Sequence, residues 1–322
     1  MVSSTAYRIA MMGKYLNRYQ PADHAAPRRD ESDVAHAPED CPARAMTSGH
    51  PGRLTGQERK ETQMETVKSA DGTVIAYDRT GDGPPLIVSV GAFCTRHTFV
   101  APGELTQRFT VVTYDRRGRG DSGDTQPFGP EREYQDLAAV AAATRPEPPF
   151  VFGHSSGAAI ALRAAAAGLP VAGLAAYEAP FPNEDTPRPS ADPSERIRQL
   201  VGEGRRSEAV AFWMSDVVGM PAEMLAQMDG APWVKALEPL APTLPYDLAV
   251  TDGGVPAAEL GKITAPVLIL GGRNSPPWFQ RSVAEQAAAT PGAQLRMLDG
   301  FDHNAPVEVI APILTGFFGT SR

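Results

Sequence analysis

Cysteine is nearly absent from this 322-residue chain, which contains only Cys41 and Cys94. Neither lies in a spacing typical of a zinc site or a redox motif, so we predict no bound metal and a reducing, cytoplasmic setting. Nothing in the sequence indicates an organic cofactor. The chain also lacks an excess of positive charge, since its net charge is -8. There is no electrostatic reason to bind nucleic acid or an anionic membrane surface, and we expect neither as a partner.

Long apolar runs are missing as well. The first 20 residues contain no apolar stretch followed by a small-residue cleavage site, so no secretory signal is predicted. The most apolar stretch, residues 157–176, contains Arg163 and Pro170. These residues favour a buried helix followed by a strand over a membrane span, and we expect no transmembrane segment.

Large aliphatic residues are scarce near the start of the chain. Residues 21–63 are rich in Pro, Ala, Gly and charged residues, with no sustained period of two or 3.6. We interpret residues 1–64 as a disordered leader. Met46 and Met64 are alternative starts, so this leader is suspected to be a mis-annotated start, and the folded domain is expected at 65–322.

From Glu65 onward, short β-rich runs alternate with helical ones. This alternation predicts the α/β class, with a mostly parallel central sheet and helices on both faces. Strands are predicted at 73–77, 85–90, 109–114, 150–152, 171–177, 267–270 and 294–298. Covering helices are predicted at 131–143, 156–167, 277–288 and 308–318.

The alternation breaks between Phe181 and Leu260, where proline and charged residues lead into amphipathic segments. We expect an inserted helical cap at about 182–260. This segment is rich in methionine and tryptophan, which adapt to irregular apolar surfaces. Two interpretations stay open: these side chains line a substrate pocket, or they pack the insertion onto the main domain.

Residues 153–157 read Gly-His-Ser-Ser-Gly, directly after a β-rich run and before an alanine-rich helix. A Gly-x-Ser-x-Gly pattern at a strand-to-helix junction is typical of a tight turn that strains the central serine and presents its hydroxyl above the sheet. The flanking glycines leave room for it. We predict Ser155 as a nucleophile; the other interpretation is an ordinary glycine-rich turn.

Further motifs accompany this turn, namely Y-D-R-R-G-R-G-D-S-G at 114–123, Y-E-A-P-F at 177–181 and G-F-D-H at 300–303. With G-H-S-S-G-A at the turn itself, the chain resembles the α/β-hydrolase superfamily over about residues 65–318. The resemblance implies the α/β-hydrolase fold, with the nucleophile after a central strand and a late helical cap. It also implies that 114–123 is a structural turn, so no catalytic role is expected for Arg116, Arg117 and Arg119.

The resemblance implies a histidine base in the loop between the last strand and the terminal helix. Of the three histidines outside the leader, only His303 lies there. His154 precedes Ser155 in sequence, and in such a turn we expect it to point away from the nucleophile and to pack nearby. We therefore predict His303 as the general base.

The acid of the triad stays open. In most relatives it follows the strand predicted at 267–270, where this chain has Asn274. An asparagine can accept a hydrogen bond from an imidazole, but it cannot stabilise the imidazolium by charge. Glu178 follows the strand predicted at 171–177, where some members of the superfamily place the acid. We prefer Glu178 to Asn274, with Asp302 third; a structural carboxylate is the other interpretation of Glu178.

An oxyanion needs two backbone N–H donors, one from the residue after the nucleophile and one from the loop after an earlier strand. Ser156 supplies the first. For the second, relatives usually have His-Gly-x, whereas this chain has Val90-Gly91-Ala92-Phe93. The amide of Ala92 is the candidate, with Phe93 next.

Together these residues predict a hydrolase that forms an acyl-enzyme on Ser155. From the apolar character of the expected cap, we expect a small-molecule substrate, namely a small or medium, mainly apolar ester, lactone or thioester. Three alternatives stay open. They are a cofactor-free haloperoxidase or perhydrolase, a tailoring or cyclisation enzyme of secondary metabolism, and a catalytically weak ligand-binding protein.

Overall fold

The computed structural model describes residues 64–144, 146–187, 192–228 and 230–320. The leader predicted at 1–64 thus lies outside the described residues except for Met64. No helix in the described ranges is long and apolar enough to cross a membrane.

A mostly parallel sheet of eight strands forms the centre of the fold. The strands are β1 (Glu65–Lys68), β2 (Val74–Thr80), β3 (Pro85–Ser89), β4 (Thr110–Tyr114), β5 (Phe150–His154), β6 (Gly173–Tyr177), β7 (Val267–Gly272) and β8 (Gln294–Leu298). Their order in the sheet is β1-β2-β4-β3-β5-β6-β7-β8. β2 pairs antiparallel with β1 and with β4, and every later pairing is parallel. The predicted fold class is confirmed.

Helices cover both faces of this sheet, and the five described first come from parts of the chain other than the segment between β6 and β7. Successive strand residues point to opposite faces, so Phe150 and Phe152 of β5 join one hydrophobic cluster and Val151 joins the other. The covering helices are α1 (Gly103–Thr106), α2 (Pro130–Ala143), α3 (Ser156–Ala166), α10 (Pro277–Ala289) and α11 (Val307–Thr320). α2, α3 and α10 cover the face of Val151, and α1 and α11 cover the opposite face.

The segment between β6 and β7, residues 182–260, contains helices of its own, and we call it the helical insertion. Trp213 and Met214 are buried in its hydrophobic cluster, while Ala92 and Phe93 from the loop after β3 pack against that cluster. Its helices are α4 (Pro193–Gly202), α5 (Arg206–Phe212), a π-helical turn (Trp213–Val217), α6 (Ala222–Ala226), α7 (Pro232–Leu237), a 3-10 turn (Glu238–Thr243), α8 (Leu244–Thr251) and α9 (Ala257–Leu260).

Sequence patterns predicted seven of the eight strands and missed β1. This strand is four residues long, lies at the edge of the sheet and alternates between half-buried and exposed positions. Its residues, Glu-Thr-Val-Lys, include only one large apolar side chain. The hydrophobic signal is therefore too short to separate an edge strand from a loop.

Replacement of Phe318 by alanine tests the core on the α11 face. Phe318 is fully buried, and its ring lies 4.7 Å from that of Phe150 and 6.2 Å from that of Phe109. We expect Phe318→Ala to lower the free energy of unfolding by about 3–5 kcal/mol, because it removes apolar contacts and leaves a cavity. Urea unfolding followed by circular dichroism measures this loss. Val100→Ala, at an exposed valine, is the control, and an equal loss in both variants would contradict this assignment of the core.

Candidate active site

Ser155 occupies the turn between β5 and α3. Its backbone has φ 58° and ψ -132°, a conformation that strains residues with a side chain. The Ser155 N–H donates to the carbonyl of Tyr177 at 3.0 Å, which ties the turn to the end of β6. The predicted nucleophile therefore lies at the carboxyl edge of the parallel strands, where ligands bind in open α/β sheets.

Glycines surround this turn because other residues do not fit. A Cβ on Gly153 would lie 2.4 Å from the Cα of Ala158, and one on Gly157 would lie 2.2 Å from the carbonyl oxygen of Ser89. A Cβ on Gly91 would approach the Cβ of Ser155 to 2.7 Å. The loop after β3 thus lies directly against the predicted nucleophile.

Glu178 and His303 form a pair beside this turn. His303 Nδ1 lies 2.9 Å from Glu178 Oε2, and Glu178 is fully buried while the imidazole is partly exposed. The other carboxylate oxygen accepts hydrogen bonds from the Gly272 N–H at 2.7 Å and from the Ser275 hydroxyl at 2.6 Å. Burial raises the pKa of Glu178, but the hydrogen bond and charge of His303 and these two donors outweigh it and hold the pKa below its usual value.

The two other acid candidates have different contacts. Asn274 is exposed, and its backbone N–H donates to the Phe301 carbonyl at 2.9 Å. Asp302 Oδ1 accepts from the Asn304 N–H at 3.0 Å. The structure therefore brings Glu178 to the imidazole, while the contacts of Asn274 and Asp302 stabilise the loops on either side of it.

His154 contacts the His303 loop, an interaction that sequence reasoning missed. Its Nε2 lies 2.9 Å from the backbone carbonyl of His303, and because a carbonyl only accepts, Nε2 carries the proton. The two rings lie 4.7 Å apart. Burial and the neighbouring His303 lower the pKa of His154 to about 4, so this ring is neutral near pH 7.

The Ser155 hydroxyl and the His303 imidazole come from neighbouring loops. Within the described ranges, this hydroxyl makes no hydrogen bond to the imidazole. Catalytic hydrogen bonds are often long in ligand-free enzymes and tighten only when substrate binds. The Tyr177 hydroxyl donates to the backbone carbonyl of Asp302, so the loop carrying His303 is fixed on both sides of the imidazole.

The two amides predicted to bind an oxyanion are free to do so. Among the described residues, neither the Ala92 N–H nor the Ser156 N–H donates a hydrogen bond to the protein. Phe93, the next candidate, has φ 56°; in the part of the chain that the structure describes, it is one of three residues other than glycine with a positive φ, together with Ser155 and Glu178. No group of His, Cys, Asp and Glu side chains in the described part of the chain is arranged to hold a metal ion.

Sequence reasoning also missed a cluster of buried charges behind this site, formed by Arg116, Arg119, Glu133 and Asp247. Asp247 comes from α8 of the helical insertion and accepts hydrogen bonds from both arginines. One signal in the sequence could have found it. An aspartate inside the apolar helix Leu-Pro-Tyr-Asp-Leu-Ala-Val requires a charged partner if that helix is buried.

Comparison with known proteins identifies the family of this chain. A family model described as the alpha/beta hydrolase family matches residues 86–312. An alpha/beta hydrolase from Sphaerobacter thermophilus DSM 20745 is 44% identical, with a TM-score of 0.74, over 79% of this chain and 100% of that one.

More distant structures share the fold. An esterase from Rhodococcus sp. ECU1013 is 20% identical, with a TM-score of 0.58, over 80% of this chain and 99% of that one. An enol-lactonase from Burkholderia xenovorans LB400 is 17% identical, with a TM-score of 0.59, over 79% of this chain and 100% of that one.

The low pKa of Glu178 predicts how stability depends on pH. Because the pKa lies below its ordinary value of 4.5, the carboxylate stabilises the fold above pH ~4.5, and this stabilisation is lost as the pH falls through the folded-state pKa. The difference in unfolding free energy between wild type and Glu178→Gln should therefore be larger at pH 7 than at pH ~3.5. Urea unfolding at both values measures it. Asn274→Ala serves as the control and should show the same difference at both pH values.

His154 provides a second test, of the loop that carries the predicted base His303. His154→Phe keeps a ring but removes the hydrogen bond to the His303 carbonyl, and His154→Gln retains a donor. We expect His154→Phe to lower turnover about tenfold through misplacement of the imidazole, with His154→Gln close to wild type. Equal turnover in the two variants would show that this hydrogen bond does not position the imidazole. Hydrolysis of a p-nitrophenyl ester provides the measurement.

Proposed function

The chain belongs to the alpha/beta hydrolase family and is a hydrolase, and from that premise we propose that it cleaves ester-type bonds through a covalent acyl-enzyme on Ser155. The observation that carries this proposal is the pair formed by the buried Glu178 carboxylate and the His303 imidazole beside the strained Ser155 turn. Such a pair is what a serine hydroxyl requires to become a nucleophile.

Proton transfer follows from the contacts of the imidazole. Glu178 accepts the Nδ1–H of His303, which leaves the Nε2 lone pair to receive the proton of the Ser155 hydroxyl when substrate draws the two together. As the imidazole becomes charged, the ionised carboxylate stabilises the imidazolium. In this proposal Glu178 is the acid of the triad, and Asn274 has no part in it.

Acyl transfer then takes two steps. The Ser155 oxygen attacks the carbonyl carbon, and the free N–H groups of Ala92 and Ser156 bind the oxyanion of the tetrahedral intermediate. Collapse of this intermediate forms the acyl-enzyme, while His303 returns its proton to the leaving oxygen. A water molecule, deprotonated by His303, then attacks the acyl group and releases Ser155.

The helical insertion is proposed as the cap that covers this site. Phe93, which follows the proposed oxyanion donor, packs edge-on against Trp213 with ring centroids 6.1 Å apart. Apolar residues of the insertion thus reach the loop beside the nucleophile, which supports a small or medium, mainly apolar small-molecule substrate. An ester, lactone or thioester meets this description. A cytoplasmic setting, expected from the scarcity of cysteine in the sequence, is part of this proposal.

Turnover of p-nitrophenyl esters by the wild type, Ser155→Ala, Glu178→Gln and Asn274→Ala tests the proposal. We expect Ser155→Ala to abolish turnover and Glu178→Gln to lower kcat by about 10²- to 10⁴-fold, because the variant loses the charge that stabilises the imidazolium. Asn274→Ala should stay within about twofold of wild type, since its side chain is exposed and surface substitutions away from a site have small effects.

A fluorophosphonate probe provides an independent measurement, since it labels an activated serine whatever the natural substrate is. Labelling should occur at Ser155 and disappear in Ser155→Ala, as mass spectrometry of the labelled peptide would establish. A folded wild type that neither reacts with the probe nor hydrolyses any ester would contradict the proposal and favour a ligand-binding role. A large loss of turnover in Asn274→Ala would instead overturn the assignment of Glu178.

A further inference from the structure

Two buried arginines form hydrogen bonds with residues of the proposed oxyanion hole. Arg119 binds a backbone carbonyl in the loop after β3, and Arg116 binds the side chain of Ser156. Arg116 and Arg119 come from the turn after β4, and their side chains are at most 1% exposed. Both bind Asp247, which is 2% exposed: Arg116 Nη1 donates to Oδ1 at 2.6 Å and Arg119 Nη2 to Oδ2 at 2.7 Å. A single carboxylate from the helical insertion therefore fixes both guanidinium groups.

Arg119 holds the peptide unit that carries the first oxyanion donor. Its Nη1 donates to the carbonyl oxygen of Gly91 at 2.6 Å, and that carbonyl belongs to the same planar unit as the N–H of Ala92. In a trans peptide the C=O and N–H point in opposite directions, so the bond to Arg119 fixes the direction of the Ala92 N–H. A charged donor on the carbonyl also polarises the amide, which strengthens its N–H as a donor.

Arg116 and Asp247 reach the second donor through the side chain of its residue. The Ser156 hydroxyl donates to Asp247 Oδ1 at 2.6 Å and accepts from Arg116 Nη1 at 3.0 Å. These bonds fix the first residue of α3, whose N–H is the other proposed donor. The Asp247 carboxylate is thus linked to both proposed oxyanion donors: to the Ala92 N–H through Arg119, and to the Ser156 N–H through the Ser156 hydroxyl.

We propose that Arg119 and Asp247 are positioning residues of the oxyanion hole, through which the helical insertion sets the alignment of the Ala92 and Ser156 N–H groups. This inference rests on the proposed function, since it concerns the oxyanion that forms during acyl transfer. It goes beyond the triad because neither residue touches substrate or transfers a proton. It also gives the insertion a part in catalysis other than covering the site.

A purely structural pair occurs in the same turn and serves as a matched control. Arg117 is fully buried and binds Asp136 at 2.7 Å and Asp71 at 2.9 Å. Among the described residues, its hydrogen bonds go to these two carboxylates and to the Arg132 carbonyl, and none goes to the loop after β3 or to α3. Replacing Arg117 or Arg119 takes a charged partner away from a buried carboxylate, Asp136 or Asp247 respectively, so both changes lower stability. Only the change at Arg119 should affect the transition state.

Four variants separate these effects: Arg119→Lys, Asp247→Asn, Ser156→Ala and the control Arg117→Lys. Arg119→Lys keeps the charge but loses the fork that joins Gly91 to Asp247. Asp247→Asn keeps the shape and removes the charge. Ser156→Ala removes one hydroxyl and keeps the N–H, so it is the change that perturbs the fold least.

Steady-state hydrolysis of a p-nitrophenyl ester provides the first readout. We expect kcat to fall about 10- to 100-fold in Arg119→Lys and Asp247→Asn, less than the 10²- to 10³-fold effect of losing an oxyanion donor outright. Ser156→Ala should show a smaller fall. KM should change little in all three, because the affected interaction forms only in the transition state. The kcat of Arg117→Lys should stay within about twofold of wild type, although its melting temperature falls.

Inhibition by a matched pair of ketones provides the second readout. A trifluoromethyl ketone adds to the serine as a tetrahedral oxyanion, whereas the corresponding methyl ketone binds as a neutral carbonyl. Affinity for the first should fall in proportion to kcat in Arg119→Lys and Asp247→Asn, while affinity for the second stays constant. A role in folding alone lowers the melting temperature without changing this ratio.

Two results would overturn the inference. In one, folded Asp247→Asn and Ser156→Ala keep the wild-type kcat and the wild-type ketone ratio; in the other, Arg117→Lys loses as much kcat as Arg119→Lys. Failure of the proposed function looks different, because the wild type itself would then give neither ester turnover nor fluorophosphonate labelling at Ser155. That result would remove the inference together with its premise.

Discussion

The carboxyl edge of the sheet depends on three strained turns that follow the neighbouring strands β3, β5 and β6. In these turns Phe93, Ser155 and Glu178 have positive φ values, and each such conformation costs on the order of 1–3 kcal/mol. The surroundings must therefore hold all three. Glycines permit the close contacts around Ser155, and a backbone hydrogen bond from the Glu178 N–H to the Leu270 carbonyl of β7 fixes the third turn. Contacts with the neighbouring strands thus stabilise the strained turns at the carboxyl edge of the sheet.

A second constraint is the burial of charge behind these turns. Arg116 and Arg119 carry two positive charges, and Glu133 and Asp247 carry two negative ones, so the buried cluster is neutral as a whole. Burying ions is expensive unless each is paired and hydrogen-bonded, and one of the two acids belongs to the helical insertion. The insertion is therefore a component of the folded core: without Asp247, two buried guanidinium groups lose a shared partner.

Features of the fold and of the site could be predicted from the sequence where residues close together in the chain determine them, and not where distant residues do. The strand-to-helix context of Ser155 is local, and so are the hydrophobic periods that located the sheet and its covering helices. The choice between Glu178 and Asn274 was not local, because burial and contact with the imidazole across 125 positions distinguish the two side chains. The partnership of Arg119 with Asp247 spans 128 positions. From the sequence alone, the arginine-rich turn at 114–123 was therefore interpreted as a structural motif, and its contact with Asp247 of the helical insertion was not predicted.

The position of the Glu178 carboxylate determines which hydrogen-bond donors the turn after β7 must provide. With Glu178 at the end of β6, its side chain lies beside the turn after β7, and that turn supplies two donors, the Gly272 N–H and the Ser275 hydroxyl. These donors stabilise the ionised form against the penalty of complete burial. Asn274 lies in the same turn, where its side chain is exposed and its backbone N–H donates to the Phe301 carbonyl. The turn after β7 thus supplies hydrogen-bond donors to an acid after β6, and the pair of Glu178 and His303 forms without the side chain of Asn274.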